Sequence, residues 1–148
     1  MPRKPPPPTV LASTPDELEA RFYEALRRAD IEALMSVWAD DDEIVCVHPG
    51  GPRVIGPAAI RASFEAIFAN GPIPVQTEQV HRLEALSGAV HHLVERVALP
   101  GEAGARTAWV ISTNVYAQTG QGWRLVAHHA SPGSLQAPDM DSAPSTLH

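Results

Sequence analysis

The chain has 148 residues, of which 44% are hydrophobic and 19% charged, enough for one domain with a proper core and too few for two. Its formal net charge of -6 and the lack of any Lys/Arg cluster argue against a phosphate-tracking, nucleic-acid-binding surface. No apolar stretch nears membrane-spanning length, and the N-terminus lacks the apolar core of a secretory signal. Lone Cys46 has no internal disulfide partner, so the expectation is a soluble, cytoplasmic protein without membrane contact.

Residues 1–13 carry Pro5-Pro6-Pro7-Pro8, which favours extended polyproline II and reads as a flexible leader or, alternatively, a PxxP ligand. Thr14-Pro15-Asp16-Glu17 is a complete helix start: a capping threonine, proline at the first helical position and Glu17 to close a capping box. Behind it Leu18, Phe22, Ala25, Leu26 and Ala29 fall at helical spacing. Asp30 starts a second short helix with Ile31, Leu34, Met35 and Trp38 on one side. An acidic turn, Asp40-Asp41-Asp42, leads into a β-branched strand from Ile44 to Val47, which His48-Pro49-Gly50-Gly51 stops. The acidic run lacks the glycine and spacing of a calcium loop and reads as a solvated cap.

Gly56-Pro57 opens a third helix, burying Ile60, Phe64, Ile67 and Phe68 and ending at Asn70-Gly71-Pro72. Four strands follow, at residues 75–86, 89–99, 107–117 and 122–130, separated by Ser87-Gly88, Pro100-Gly101-Glu102-Ala103-Gly104 and Thr119-Gly120-Gln121-Gly122. Helices segregated against one antiparallel meander make the fold α+β. The folded domain is expected over 14–131, with a Pro/Ser/Asp-rich, disordered tail over 132–148.

Val37-Trp38-Ala39-Asp40-Asp41, the strand after it, Gly56-Pro57-Ala58-Ala59-Ile60-Arg61 and Gly122-Trp123-Arg124-Leu125 together resemble the NTF2-like superfamily, in its SnoaL-like and ketosteroid-isomerase-like branch. The resemblance implies a curved sheet wrapped into a cone, closed by helices around a pocket. In the ketosteroid isomerases a carboxylate base precedes a proline at the end of the first strand. A first-helix tyrosine and a protonated aspartate supply the oxyanion hole there. Carried onto this sequence, the base position falls on His48, the tyrosine on Tyr23 and the second donor on Asn114. Two of these three have changed type, so steroid isomerisation is not implied. Histidine remains a competent base near neutral pH, and a phenol and an amide both donate to a developing oxyanion.

Each candidate has a plainer reading. His48 is either a pocket base or a strand-end histidine bonded to a backbone carbonyl, and Tyr23 points either inward or to solvent. Cys46 is expected to be inert packing rather than a nucleophile. Strand alternation groups Val110, Ser112, Asn114 and Tyr116 against Trp109, Ile111, Thr113 and Val115, and the more polar first set suits a pocket wall. Adjacent pairs His91-His92 and His128-His129 point to opposite faces and cannot share an ion, so no metal site is expected. With the sheet phase aligned through the family position of Asn114, the resemblance implies that His128 points inward with Val126 and Ala130, and His129 outward with Trp123, Leu125 and Ala127. That apolar outer face predicts a homodimer. Trp38 and Trp109 are apolar wall candidates, and Arg53 is either an anion contact or a surface-turn arginine. No Gly-rich phosphate loop is present, so no organic cofactor is implied. The functional expectation is a pocket for a small apolar ligand, worked by general acid–base chemistry on a carbonyl compound. The alternative is a non-catalytic binding or dimerisation module.

Overall fold

The computed structural model describes residues 13–99 and 106–133. The polyproline leader, the turn at Pro100–Gly104 and the tail after 133 lie outside the described residues. Chain order is α1 (Pro15–Arg28), α2 (Ile31–Ser36), β1 (Val45–Val47), β2 (Arg53–Ile55), α3 (Pro57–Phe68), β3 (Val75–Glu84), β4 (Gly88–Leu99), β5 (Arg106–Thr119) and β6 (Gly122–Pro132). No helix among the described residues is long and apolar enough to cross a membrane.

The helices begin as their sequences dictate. Thr14 Oγ1 accepts from the Glu17 amide at 3.2 Å, Pro15 occupies the first turn, and Asp30 Oδ1 accepts from the Ala33 amide at 3.1 Å. Ala29 takes a left-handed conformation between α1 and α2, and the Asp30 amide reaches back to the Ala25 carbonyl at 3.0 Å. Leu18, Phe22, Leu26, Leu34, Ile60 and Phe64 point from the helices into one core with Leu93 and Leu125 of the sheet.

The six strands form a single sheet in the order β2-β1-β6-β5-β4-β3. β3 to β6 form the expected antiparallel meander, whereas β1 runs parallel to β6, pairing Cys46 with His128. Strand β2 was not expected: three residues inside a Gly/Pro-rich run give too little pattern to detect, yet they pair antiparallel with β1. The sheet phase of β6 also needs correction. A bulge makes Val115 face Ala127 but Tyr116 face Leu125, so Val126 is the extra residue. Leu125 is therefore fully buried and Trp123 packs on the core, while His128 and Ala130 still point inward. Backbone bonds from Leu125 N to Val37 O (2.8 Å) and Ala39 N to Leu125 O (2.9 Å) pin this phase to the end of α2.

At the end of β1 the His48 carbonyl accepts from the Gly51 amide at 2.8 Å, with Pro49 second and Gly50 third at φ 73°. That is the residue order a type II turn requires, and it fixes His48 at the strand terminus. A Cβ on Gly50 would meet nothing within 4 Å, so any effect of Gly50→Ala is a backbone effect. We expect this substitution to lower stability by roughly 1 kcal/mol in urea unfolding, and Gly50→Asn, which tolerates positive φ, to lower it by less.

Candidate functional site

Between α1 and the inner face of the sheet lies a connected set of buried polar side chains. Glu19 and Tyr23 are one helical turn apart on α1; His91 and Glu95 alternate inward from β4, Ser112, Asn114 and Tyr116 from β5, and His128 from β6. Glu95 Oε2 accepts from the Tyr23 hydroxyl and from Ser112, both at 2.6 Å. Glu19 Oε1 accepts from Tyr116 (3.1 Å), Asn114 Nδ2 (3.3 Å) and His91 Nδ1 (3.0 Å). Asn114 Nδ2 also donates to the Tyr23 oxygen at 3.1 Å. Because the Asn114 amide nitrogen faces these oxygens, its Oδ1 is the atom 2.5 Å from His128 Nδ1, which must carry the proton. Burial pushes the His128 pKa down to about 3, helped by the nearby imidazoles of His48 and His129, so the ring is neutral. Burial raises the Glu95 carboxyl pKa, and burial followed by the Glu95 charge raises that of Tyr23.

His48 stands on the same face, half-buried, two residues along β1 from Cys46. Ser63 Oγ donates to the Ile60 carbonyl at 2.7 Å, so its one proton is used. The contact of 2.9 Å between His48 Nε2 and Ser63 Oγ is then donated by Nε2–H, leaving Nδ1 as the lone-pair nitrogen. Burial lowers the His48 pKa, which keeps the ring neutral at physiological pH. Aromatic packing joins the two groups: Phe64 lies 4.7 Å from His48, and Phe22 lies 4.9 Å from His128 and 5.0 Å from Tyr23. Cys46 is fully buried, and desolvation pushes its thiol up to about 12, which makes it packing rather than a nucleophile.

A SnoaL-like domain matches residues 16–134. The chain belongs to this SnoaL-like family. A Thiobacillus denitrificans protein assigned as a calcium/calmodulin-dependent protein kinase type II association domain is 34% identical, with a TM-score of 0.74 over 82% of this chain and 96% of that one. A Streptomyces avermitilis protein assigned as a dehydratase of the NTF2-like family is 29% identical, with a TM-score of 0.72 over 84% and 97% of the two chains. A ketosteroid isomerase-like protein from Erwinia carotovora atroseptica, at 18% identity, shares the fold with a TM-score of 0.66 over 84% and 97%. No curated protein shows significant similarity to the chain. The NTF2-like α+β cone expected from the sequence is thus the fold of the SnoaL-like chain.

Of the residues singled out in the sequence, Tyr23, Asn114, His128, Ser112 and Tyr116 come together in the SnoaL-like interior, with His48 beside them across the Phe22–Phe64 layer. Tyr23, Asn114 and His128 are 2%, 0% and 4% exposed, so His48 is the member that solvent reaches. Trp38 lies apart, buried where α2 ends against β6. Arg53 and Trp109 point to the other side of the sheet. Arg53 borders an outer groove of about 880 Å³ there, with Val45, Val47, Ile55 and Val115. Glu19, Glu95 and Ser63 were missed, and His91 was weighed only as a pair with His92 and set aside. Their signal was polar residues in the apolar phase: Glu95 and His91 alternate with buried Leu93, and Ser63 sits beside Ile60 and Phe64 on α3.

The sealed His128 has a consequence for acid stability. Its folded pKa lies below the unfolded value near 6.5, so the unfolded chain takes up the proton first. Stability from this group is fully present above about pH 6.5 and falls as pH drops toward 3, by up to roughly 5 kcal/mol. Urea unfolding at pH 7 and pH 4 should show a smaller loss for His128→Gln, which keeps a donor for Asn114 and has no ring to protonate.

Proposed function

We propose that the inner face of the cone takes a small, largely apolar molecule bearing a carbonyl and relocates a proton on it, His48 acting as general base. The observation that carries this reading is the 2.9 Å contact of His48 Nε2 with Ser63 Oγ, whose own proton goes to the Ile60 carbonyl. Ser63 holds Nε2–H, so a half-buried, neutral ring offers Nδ1 to whatever enters from its side. Proton removal next to a carbonyl builds negative charge on the oxygen, and Tyr23, supported by Asn114, is the proposed donor to it. In the free chain the Tyr23 hydroxyl donates to Glu95 Oε2. A substrate oxygen takes that hydrogen bond in place of Glu95, whose Oε2 keeps the one from Ser112. Ser112, Tyr116 and His128 line the same face, and Tyr116 and His128 serve as contacts where the ligand displaces their bonds to Glu19 and Asn114; Trp38, Arg53 and Trp109 have no part in this reading. The similar Streptomyces protein assigned as a dehydratase accords with proton chemistry in such an interior.

Thermal-shift screening against polycyclic ketones, phenols, epoxides and small acids identifies the ligand class, since a ligand at 100 times its Kd stabilises by about 2.7 kcal/mol. With a ligand that turns over, His48→Asn should keep its affinity and lose about 10²–10⁴-fold in kcat. Binding without turnover in the wild type would make the chain a ligand-binding module instead.

A second assignment concerns assembly. The outer sheet face exposes Ile55 (47%) and Ile111 (36%) beside Val45, Val47, Val115 and Ala127. We propose that a second copy covers this face in a homodimer, in keeping with the similarity to a protein named as an association domain. Sedimentation should find a dimer for the wild type and a folded monomer for Ile111→Asp.

A further inference from the structure

We infer that His91, Asp16 and Glu84 form a binding site for a first-row divalent cation, at the end of the sheet beside the first turn of α1 and separate from His48. His91 is 0% exposed, and among the described residues its Nε2 is buried without a hydrogen-bond partner. The opposite ring nitrogen is committed: Nδ1 lies 3.0 Å from Glu19 Oε1, which as a carboxylate accepts its proton. In the neutral ring Nε2 is therefore a lone pair. It faces two more carboxylates, with Asp16 Oδ1 at 3.9 Å and Glu84 Oε1 at 4.0 Å. A lone pair aimed at two anionic oxygens is electrostatically unfavourable unless something positive stands between them.

The arrangement follows from elements already described. Asp16 and Glu19 lie three residues apart on one side of α1. Arg82 stands opposite His91 in the β3–β4 ladder, and Glu84 lies two residues further along the same strand face. A carboxylate holding Nδ1–H while Nε2 coordinates is the usual outer support of a metal-bound histidine, orienting the ring and raising its basicity. Ligand atoms each about 2.0–2.2 Å from one ion stand roughly 3–4 Å apart, so the Nε2–oxygen spacings need little change. Asp16 and Glu84 are exposed side chains, 57% and 56%, free to make that adjustment. Arg82 Nε donates to the same Asp16 Oδ1 at 2.7 Å, which orients the carboxylate and leaves that oxygen a second lone pair for the ion. The carboxylates of Asp16, Glu19 and Glu84 against the Arg82 guanidinium leave a net charge of two negatives, matched to a divalent cation. One imidazole with carboxylates suits zinc, manganese or iron(II) rather than calcium.

The competing occupant is a proton on Nε2, which would make His91 an ion-paired imidazolium. Calorimetric titration of Zn²⁺ into the full chain, freed of metal by a chelator, separates the two. The expected result is one ion per chain, with at least tenfold weaker binding for both Asp16→Asn and Glu84→Gln and no change for His92→Gln, which alters the outward neighbour. Both informative variants replace exposed side chains, so they avoid the folding defect that His91→Ala risks. A stoichiometry well below one, or wild-type affinity in both acidic variants, would overturn the metal site and assign the position to the proton.

Discussion

A carboxyl group is costly to bury unless hydrogen bonds replace the water it loses, and this fold buries two of them between α1 and the sheet. Glu19 projects from α1 and Glu95 faces it from β4, and the surrounding polar side chains are directed at them. Tyr116, Asn114 and His91 converge on a single oxygen of Glu19, and Tyr23 and Ser112 converge on a single oxygen of Glu95. The helix docks in the one rotation and height that let Glu19 meet three strand residues while Tyr23 reaches a fourth. Apolar packing of Leu18, Phe22 and Leu26 supplies the driving force for that docking but tolerates small slips. The charge-assisted bonds do not, because a slip would strand a carboxylate.

That constraint passes to the chemistry through Asn114. Its amide nitrogen is drawn to Glu19 and Tyr23, so its oxygen is left for His128, whose tautomer is set in turn. His48 is set independently by Ser63, and the two imidazoles therefore differ although they share a sheet face. His128 is sealed and scarcely basic, whereas His48 sits at a strand end where solvent arrives. Neutrality suits both, since two adjacent cationic rings in this interior would repel each other.

The sheet separates two tasks by alternation alone. On β5 the even-numbered residues Ser112, Asn114 and Tyr116 serve the interior, and the odd-numbered Ile111, Thr113 and Val115 form the outer face. The α1 end of β3 and β4 carries a different electrostatic character again, with three carboxylates gathered around one histidine. One small domain thus holds an imidazole with a free nitrogen at one edge of its interior, a cation-suited cluster at another, and an apolar back.

Local physics made much of this readable in the chain itself. Thr14-Pro15, Asp30 and Gly56-Pro57 mark three helix starts because capping, ring geometry and backbone freedom act over a few residues. His48-Pro49-Gly50-Gly51 places a turn, and alternation on β5 sorts its two faces without reference to any partner strand. The tertiary structure decided what depends on contacts distant in sequence. Strand β2 exists because β1 offers it a partner, and the bulge at Val126 turns Leu125 inward because α2 ends beside it. Glu19 and Glu95 became interior residues only when α1 settled on β4 and β5, 72 to 97 residues away along the chain. A glutamate on an amphipathic helix reads as solvent-facing until the groups that satisfy it are known, and those groups are brought near only by folding.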